Sequence, residues 1–157
     1  MDVDRVGVRR RPNNSMQRTA LRATADTERQ ADMSLLQQST IYVRVFPNRF
    51  VVRHIESGKE VAVDSLQPFT TCRLLIGEFT PAGDILRDAF RQLLLKRGLH
   101  VAPTVVMHQT TQVEGGLSTV ENRVLLEVAD YAGAKKAIVW VGAHLSDDEV
   151  RDKARAA

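Results

Sequence analysis

The sequence predicts an α/β fold with a mixed five-stranded sheet and helices on its faces, and three observations carry that expectation. Residues 40–63 alternate apolar and polar side chains between turn signals, the pattern of half-buried antiparallel strands. Residues 103–142 place two apolar runs either side of an amphipathic run of helical period, a βαβ unit whose parallel strands need that crossover. Between them, apolar residues recur at i, i+1, i+4 and i+5, the stripe of a helix lying on a sheet. A chain of 157 residues with 43% hydrophobic content is expected to build one ordinary core.

Residues 1–33 differ in kind from the rest. They are rich in arginine, carry the turn-forming Pro12-Asn13-Asn14 and show almost no aliphatic periodicity. Such a segment buries too little apolar surface to offset its ordering entropy, so disorder is expected. Arg9-Arg10-Arg11 could serve as a nucleic-acid arm or belong to a transit peptide, but Asp2, Asp4, Asp26, Glu28 and Asp32 interrupt the basic character. The favoured reading is a start at Met33, with the segment PNNSMQRTALRATADTERQ resembling translated intergenic repeat sequence. One domain is then expected over residues 34–157.

The first strand begins at Thr40, with Ile41, Val43 and Val45 on one face and Tyr42, Arg44 and Phe46 on the other. Pro47-Asn48 makes a tight turn into an antiparallel partner over Arg49 to Ile55. Ser57-Gly58 turns again into a third strand at Glu60 to Val63, which is expected to resume over Thr71 to Ile76. Gly77 to Gly83 reads as a loop, with Asp84 capping a helix whose apolar positions are Ile85, Leu86, Ala89, Phe90, Leu93 and Leu94. Gly98 should end it. A fourth strand follows Pro103. The next helix should bury Val120, Val124, Leu125, Val128, Ala129 and Ala132, with a capping box at Ser118 and Glu121 and a C-terminal cap at Gly133. A fifth strand over Lys135 to Gly142 and a short helix opened by a Ser146–Glu149 capping box complete the chain.

Composition narrows the function classes. A net charge of +3 is too mild to argue for nucleic acid. The single Cys72 cannot form an intramolecular disulfide, and no Cys/His spacing resembles a zinc site. No apolar run approaches the roughly 18–20 residues that span a bilayer, so no direct membrane insertion is expected. A reducing, cytoplasmic setting follows as the simplest expectation.

The order βββαβαβα, a three-strand meander followed by alternating helices and parallel strands, is the layout of the ribonuclease-H-like fold and of the repeating half of actin-like ATPases. Within that layout Pro103-Thr-Val-Val106, Leu117-Ser-Thr-Val-Glu121, Gly133-Ala134 and Ala137-Ile-Val-Trp140 resemble the bacterial rod-shape family MreB and its actin-like relatives. The resemblance spans residues 40–142 and is sharpest over the last forty. It implies one degenerate subdomain, since a chain of this length lacks the second half of such an ATPase. It also implies a cleft at the first hairpin, where the family carries D-x-G-T. Here the hairpin reads Arg44-Val45-Phe46-Pro47-Asn48, with a cation, a bulky ring and a residue without an N–H where phosphate would need close approach and amide donors. The family's E-E-P after the last strand is replaced by Val141-Gly142-Ala143.

These departures predict a non-catalytic domain with no cofactor and no metal, acting through a protein partner or self-association in cell-shape or envelope machinery. If a nucleotide binds at all, the candidates are Gly115, Gly116 and Glu121. Glu121 matches the family's water-positioning residue, but the Ser118 capping box is the preferred explanation, since without a phosphate loop there is nothing for such a residue to act on. Gly115-Gly116 could hold an anion at a helix N-terminus, although a turn with positive φ explains both glycines. The alternative is an enzyme or nucleotide-binding protein with a rearranged site around His108, Glu114 and Glu121. His54, His100 and His144 show no ligand spacing. Asp64, Glu78 and Asp84 are ordinary solvated or capping carboxylates, which disfavours a two-metal nuclease. Ser118 and Cys72 have no adjacent base to activate them. Trp140 is expected in the core or in a subunit contact, and the last strand could pair with a partner if it lay at the sheet edge.

Overall fold

The computed structural model describes residues 39–94 and 102–156; the expectations for residues 1–33, Gly98 and His100 lie outside them. Five strands form one mixed sheet in the order β3-β2-β1-β4-β5. They are β1 (Thr40–Phe46), β2 (Arg49–His54), β3 (Lys59–Asp64), β4 (Thr104–Gln109) and β5 (Lys136–Trp140), with helices α1 (Phe79–Leu94), α2 (Thr119–Ala132) and α3 (Asp147–Ala156). β1 pairs antiparallel with β2 and parallel with β4, so β1 is the central strand. The meander continues through β2 and β3, while β4 and β5 are parallel neighbours joined across α2.

The alternation along β1 sorts its side chains onto two faces. Ile41, Val43 and Val45 join Phe50 and Val52 of β2, Val105 and Met107 of β4, and the apolar stripes of α1 and α2 in the main core. Tyr42 lies on the opposite face with Val106, Leu145 and Val150, where α3 packs. Toward β3 that second face is lined by cross-strand ion pairs, Arg44 with Glu60 at 2.9 Å and Arg49 with Asp64 at 3.4 Å.

Local chemistry explains the ends of α2. Ser118 accepts from the Glu121 amide while the Glu121 carboxylate accepts from the Ser118 amide, and Gly133 closes the helix at φ 106°. The last helix opens in the same way, with Ser146 and Glu149 in reciprocal hydrogen bonds. Each such cap satisfies amides that the helix itself leaves unpaired, worth about 1 kcal/mol.

Three expectations need correction. Thr71 to Ile76 is a loop and not a resumed strand, because side chains capture its backbone: Leu74 N–H donates to Thr71 Oγ1, and Thr70 Oγ1 donates to the Leu75 carbonyl. Phe69, Leu75 and Ile76 anchor this loop in the core. The helix expected to start at Asp84 starts at Phe79, since Pro81 sits in the first turn, where a missing N–H costs no hydrogen bond. Gly83 is part of that helix because it meets the Tyr131 ring of α2, where a Cβ would approach to 2.4 Å. Asp84 accepts instead from the Tyr131 hydroxyl at 2.9 Å. Val120 is 61% exposed, because the buried face of α2 is set by Leu125, Val128, Ala129 and Ala132.

Candidate functional site

Four places in the fold could carry chemistry or recognition; the sequence pointed to three of them outright and to the fourth only on condition that the last strand lay at the sheet edge. At the tip of the β1–β2 hairpin the backbone is already engaged. Pro47 offers no N–H, and the Asn48 amide donates to Thr70 Oγ1 at 2.9 Å. Asn48 stands at φ 56°, and its side-chain oxygen accepts from the amides of Phe69 and Thr70, both at 2.8 Å. Arg44 turns away to Glu60. The hairpin therefore holds the following loop, and its tip is packed with protein groups.

The α2 N-terminus is likewise self-satisfied. Gly115 and Gly116 both adopt positive φ, 81° and 84°, and the Gly116 amide donates to the Val113 carbonyl at 2.9 Å to close a turn. Glu121 places a carboxylate on the helix end, and its pKa is held down by the Ser118 hydroxyl and amide. A charged carboxylate there competes with any incoming anion. Glu114 is exposed nearby, and Gln109, buried at the end of β4, donates to the carbonyls of Thr111 and Gln112. Thr111 Oγ1 is buried and has no hydrogen-bond partner in the structure.

His108 is not part of that end of the sheet's surface, because its side chain points into the α3 face and is 4% exposed. Its Nε2 lies 3.0 Å from the Gly142 carbonyl and its Nδ1 lies 2.5 Å from the Tyr42 hydroxyl. A carbonyl only accepts, so Nε2 carries the proton and Nδ1 accepts from Tyr42. The Tyr42 oxygen in turn accepts from the Leu145 amide at 3.3 Å. Burial pushes the His108 pKa down, against the Gly142 bond, and pushes the Tyr42 pKa up, against the Leu145 bond. Both groups are thereby held neutral near pH 7. His144 meets the Tyr42 ring edge-on at 5.6 Å between centroids. The network ties β1 and β4 to the connection between β5 and α3, and the rearranged site expected around His108, Glu114 and Glu121 is not assembled.

A bidentate pair fixes the same connection from the other side. Arg53 of β2 donates from Nε and one terminal nitrogen to the two oxygens of Asp147, each at 2.9 Å. That contact holds the Asp147 pKa down. The other histidine in the described region, His54, bonds Ser39 and Ser57 and pairs with Glu56 at 3.2 Å. Cys72 is exposed, Ser118 is the α2 cap, and Asp64 pairs with Arg49.

The fourth place is the β5 edge. β5 ends the sheet order, so one side of its backbone has no neighbouring strand among the described residues. Its sequence is Lys136-Ala-Ile-Val-Trp140, with the last four residues only half-buried. Ala137 and Val139 pack toward α2, and Ile138 and Trp140 toward α3. Trp140 Nε1 donates to the Ala143 carbonyl at 2.9 Å, and the Lys153 ammonium lies 3.7 Å from its ring centroid. Alongside runs a groove of about 290 Å³ lined by residues of α2 and β5, including Arg123, Leu126, Asp130, Lys136 and Ala137. Among the described residues, no group of three or more His, Cys, Asp or Glu side chains could hold a metal ion. Nor is any of their helices long and apolar enough to cross a membrane.

The fold and its surfaces define an α/β protein built on a mixed five-stranded open sheet, with one edge lined by charges and one lined by apolar residues. No family model matches the chain. Over 101 residues it is 38% identical to the uncharacterized protein YjaA of Escherichia coli (strain K12), an alignment covering 61% of this chain and 76% of that protein. The chain belongs to the family of that protein.

Proposed function

We propose that this chain is a non-catalytic interaction domain, a single ribonuclease-H-like half related to the MreB-like, actin-type proteins. It acts by protein–protein contact in cytoplasmic cell-shape or envelope machinery. The observation that carries this reading is the packed hairpin tip. Pro47 and the engaged Asn48 amide leave that turn without the donors a phosphate needs, while β5, with its apolar half-buried side chains, has no neighbouring strand on its outer side among the described residues. The strand order supports the relation to the ribonuclease-H-like layout, and the capped Glu121 supports a structural use of the motif shared with the MreB-like family.

A second reading, a nucleotide-binding protein with a rearranged site, is favoured by one feature: the buried Thr111 hydroxyl without a partner beside the Gly115-Gly116 turn. Titration calorimetry with Mg-ATP and with ADP separates the two. The interaction domain predicts no binding tighter than a Kd of about 1 mM, roughly −4 kcal/mol. Tighter binding, abolished by Thr111→Val, would replace it with the nucleotide reading. Affinity capture on the immobilised chain supplies the positive arm: the proposal expects a second copy or a cytoskeletal or envelope protein to be retained.

A further inference from the structure

We infer that the connection leaving β5 (residues 141–146) and α3 together form a strap that is released from the sheet when His108 takes up a proton, so that acid opens one face of the protein while the rest stays folded. Three features of the structure place the device at this point.

The first is that one imidazole holds the strap at two places. His108 of β4 donates from Nε2 to the Gly142 carbonyl at 3.0 Å. Its Nδ1 accepts from the Tyr42 hydroxyl, whose oxygen accepts in turn from the Leu145 amide at 3.3 Å. Both ends of the connection therefore hang on the neutral ring. A proton added at Nδ1 sets two donors against each other, since an imidazolium has no acceptor to offer. Either the Tyr42 hydroxyl turns away, or Tyr42 accepts from Nδ1 and points its own proton elsewhere. In both cases a buried donor loses its acceptor, at the full desolvation cost of that group.

The second is that the new charge meets no counterion. The ring is 4% exposed. Arg44 of β1, opposite His108 in the β1–β4 register, and His144 of the connection both oppose a further positive charge. The acids that open α3 are engaged elsewhere: Asp147 with Arg53, Asp148 with Arg151 and Glu149 with the Ser146 amide. Lys153 of α3 lies over the Trp140 ring. A buried charge without a paired carboxylate is relieved by reaching water.

The third is where the fold yields. On this face the strap contributes only Leu145 and Val150 to a small buried cluster with Tyr42, Ile55 and Val106. The opposite face buries the stripes of α1 and α2 in one larger core. Elements with few buried contacts open at the lowest free energy. A helix of 10 residues is also too short to persist alone, so α3 melts as it leaves. Burial depresses the His108 pKa below its ordinary 6.5 in the closed strap. The open strap binds the proton more readily, so closure is fully favoured above pH 6.5 and weakens as pH falls below it.

Amide hydrogen exchange of the full chain tests the inference, read as protection factors from pH 7 down to about pH 5, a range in which carboxylates stay charged. The Leu145 and Val150 amides report on the strap, since they donate to the Tyr42 oxygen and the Ser146 carbonyl. Their protection should fall about tenfold over that range while the amides of β1 and β4 keep theirs. His108→Gln retains a donor and an acceptor but takes up no proton, and should flatten the pH slope. Asp147→Ala removes the clamp to Arg53 and should lower strap protection about fivefold at every pH with the slope unchanged. His144→Gln, at an exposed position, should keep the slope as well. Strap protection independent of pH, a slope that survives His108→Gln, or loss in β1 and β4 together with the strap would each overturn the inference. Should His108→Gln fail to fold, a slope kept in Asp147→Ala and His144→Gln supports His108 as the sensor, and a slope lost in either one overturns it.

Discussion

The two edges of the sheet meet solvent in opposite ways. β3 is short and charged at both ends, and its acids are tied to arginines of the strands behind it, Glu60 to Arg44 and Asp64 to Arg49. β5 is of similar length but carries one charge, and its remaining residues are apolar and half-buried. An unpaired edge is a template for another chain unless something blunts it. Among the described residues one edge is blunted by charge and the other is not, and the faces behind them differ to match. Behind β3 lies an apolar core against α1 with a solvated, ion-paired face opposite, whereas the turn leaving β5 is held by a buried polar network.

That difference can be broken from the core outward. The largest effect is expected at Phe50, which is 0% exposed and stacks on Phe69 with ring centroids 5.0 Å apart. Phe50→Ala should cost about 3–5 kcal/mol, read as a lower denaturant midpoint, because the β2–β3 side depends on this ring pair for its apolar support.

Next comes the network behind β5. Tyr42→Phe removes the donor to His108 and the acceptor for Leu145, leaving two buried groups unpaired at a cost of about 1–3 kcal/mol. The same network predicts a pH dependence. Folding depresses the His108 pKa below its ordinary 6.5, so the unfolded chain binds the proton more readily. Stability is then present above pH 6.5 and is lost as pH falls toward the lower folded pKa. The Tyr42 pKa is raised above its ordinary 10.0, so a second loss begins as pH rises past 10. Thermal melts should show both shoulders in the wild type. Tyr42→Phe should abolish the alkaline one.

A smaller change is expected at the Arg53–Asp147 clamp. Asp147→Ala removes a bidentate pair about one-third exposed and should cost about 1 kcal/mol. Amide exchange should rise in α3 before it rises in β1.

The smallest stability effect is expected on the charged edge itself. Glu60→Val combined with Asp64→Val removes two surface pairs worth about 0–1 kcal/mol each. The consequence should be in assembly. With the charged blunting gone, light scattering should detect larger species than the wild type forms.

How much of this was legible in the sequence depended on range. The capping boxes at Ser118–Glu121 and Ser146–Glu149 and the cap at Gly133 were readable because their partners lie within four residues. The alternation along β1 was readable for the same reason. The loop over Thr71 to Ile76 was misread as strand because its neighbour Phe69–Thr70 is pinned by Asn48 from 21 residues away, a tie that apolar spacing does not record. The start of α1 was hidden by Pro81 and Gly83, two residues that punctuate chains elsewhere but here fit a first turn and a close helix crossing.

The candidate site divides in the same way. That the Arg44 to Asn48 hairpin offers few free amides was legible in part, since Pro47 has no N–H, but the Asn48 amide's tie to Thr70 was not. The Tyr42–His108 bond joins residues 66 apart, and only the parallel pairing of β1 with β4 brings them together. The available signal was a tyrosine at a strand position whose hydroxyl needs a partner when buried. The β5 edge could be anticipated only as a condition, since edge position is a property of strand order.

The proposal that this chain makes its contacts through β5 rather than β3 is tested most directly by amide hydrogen exchange of the wild-type chain at low and high protein concentration. The β5 amides that do not bond β4 should gain protection as concentration rises, while the outer amides of β3 stay unprotected throughout. Concentration-dependent protection in β3, or outer β5 amides equally exposed at both concentrations, would contradict it.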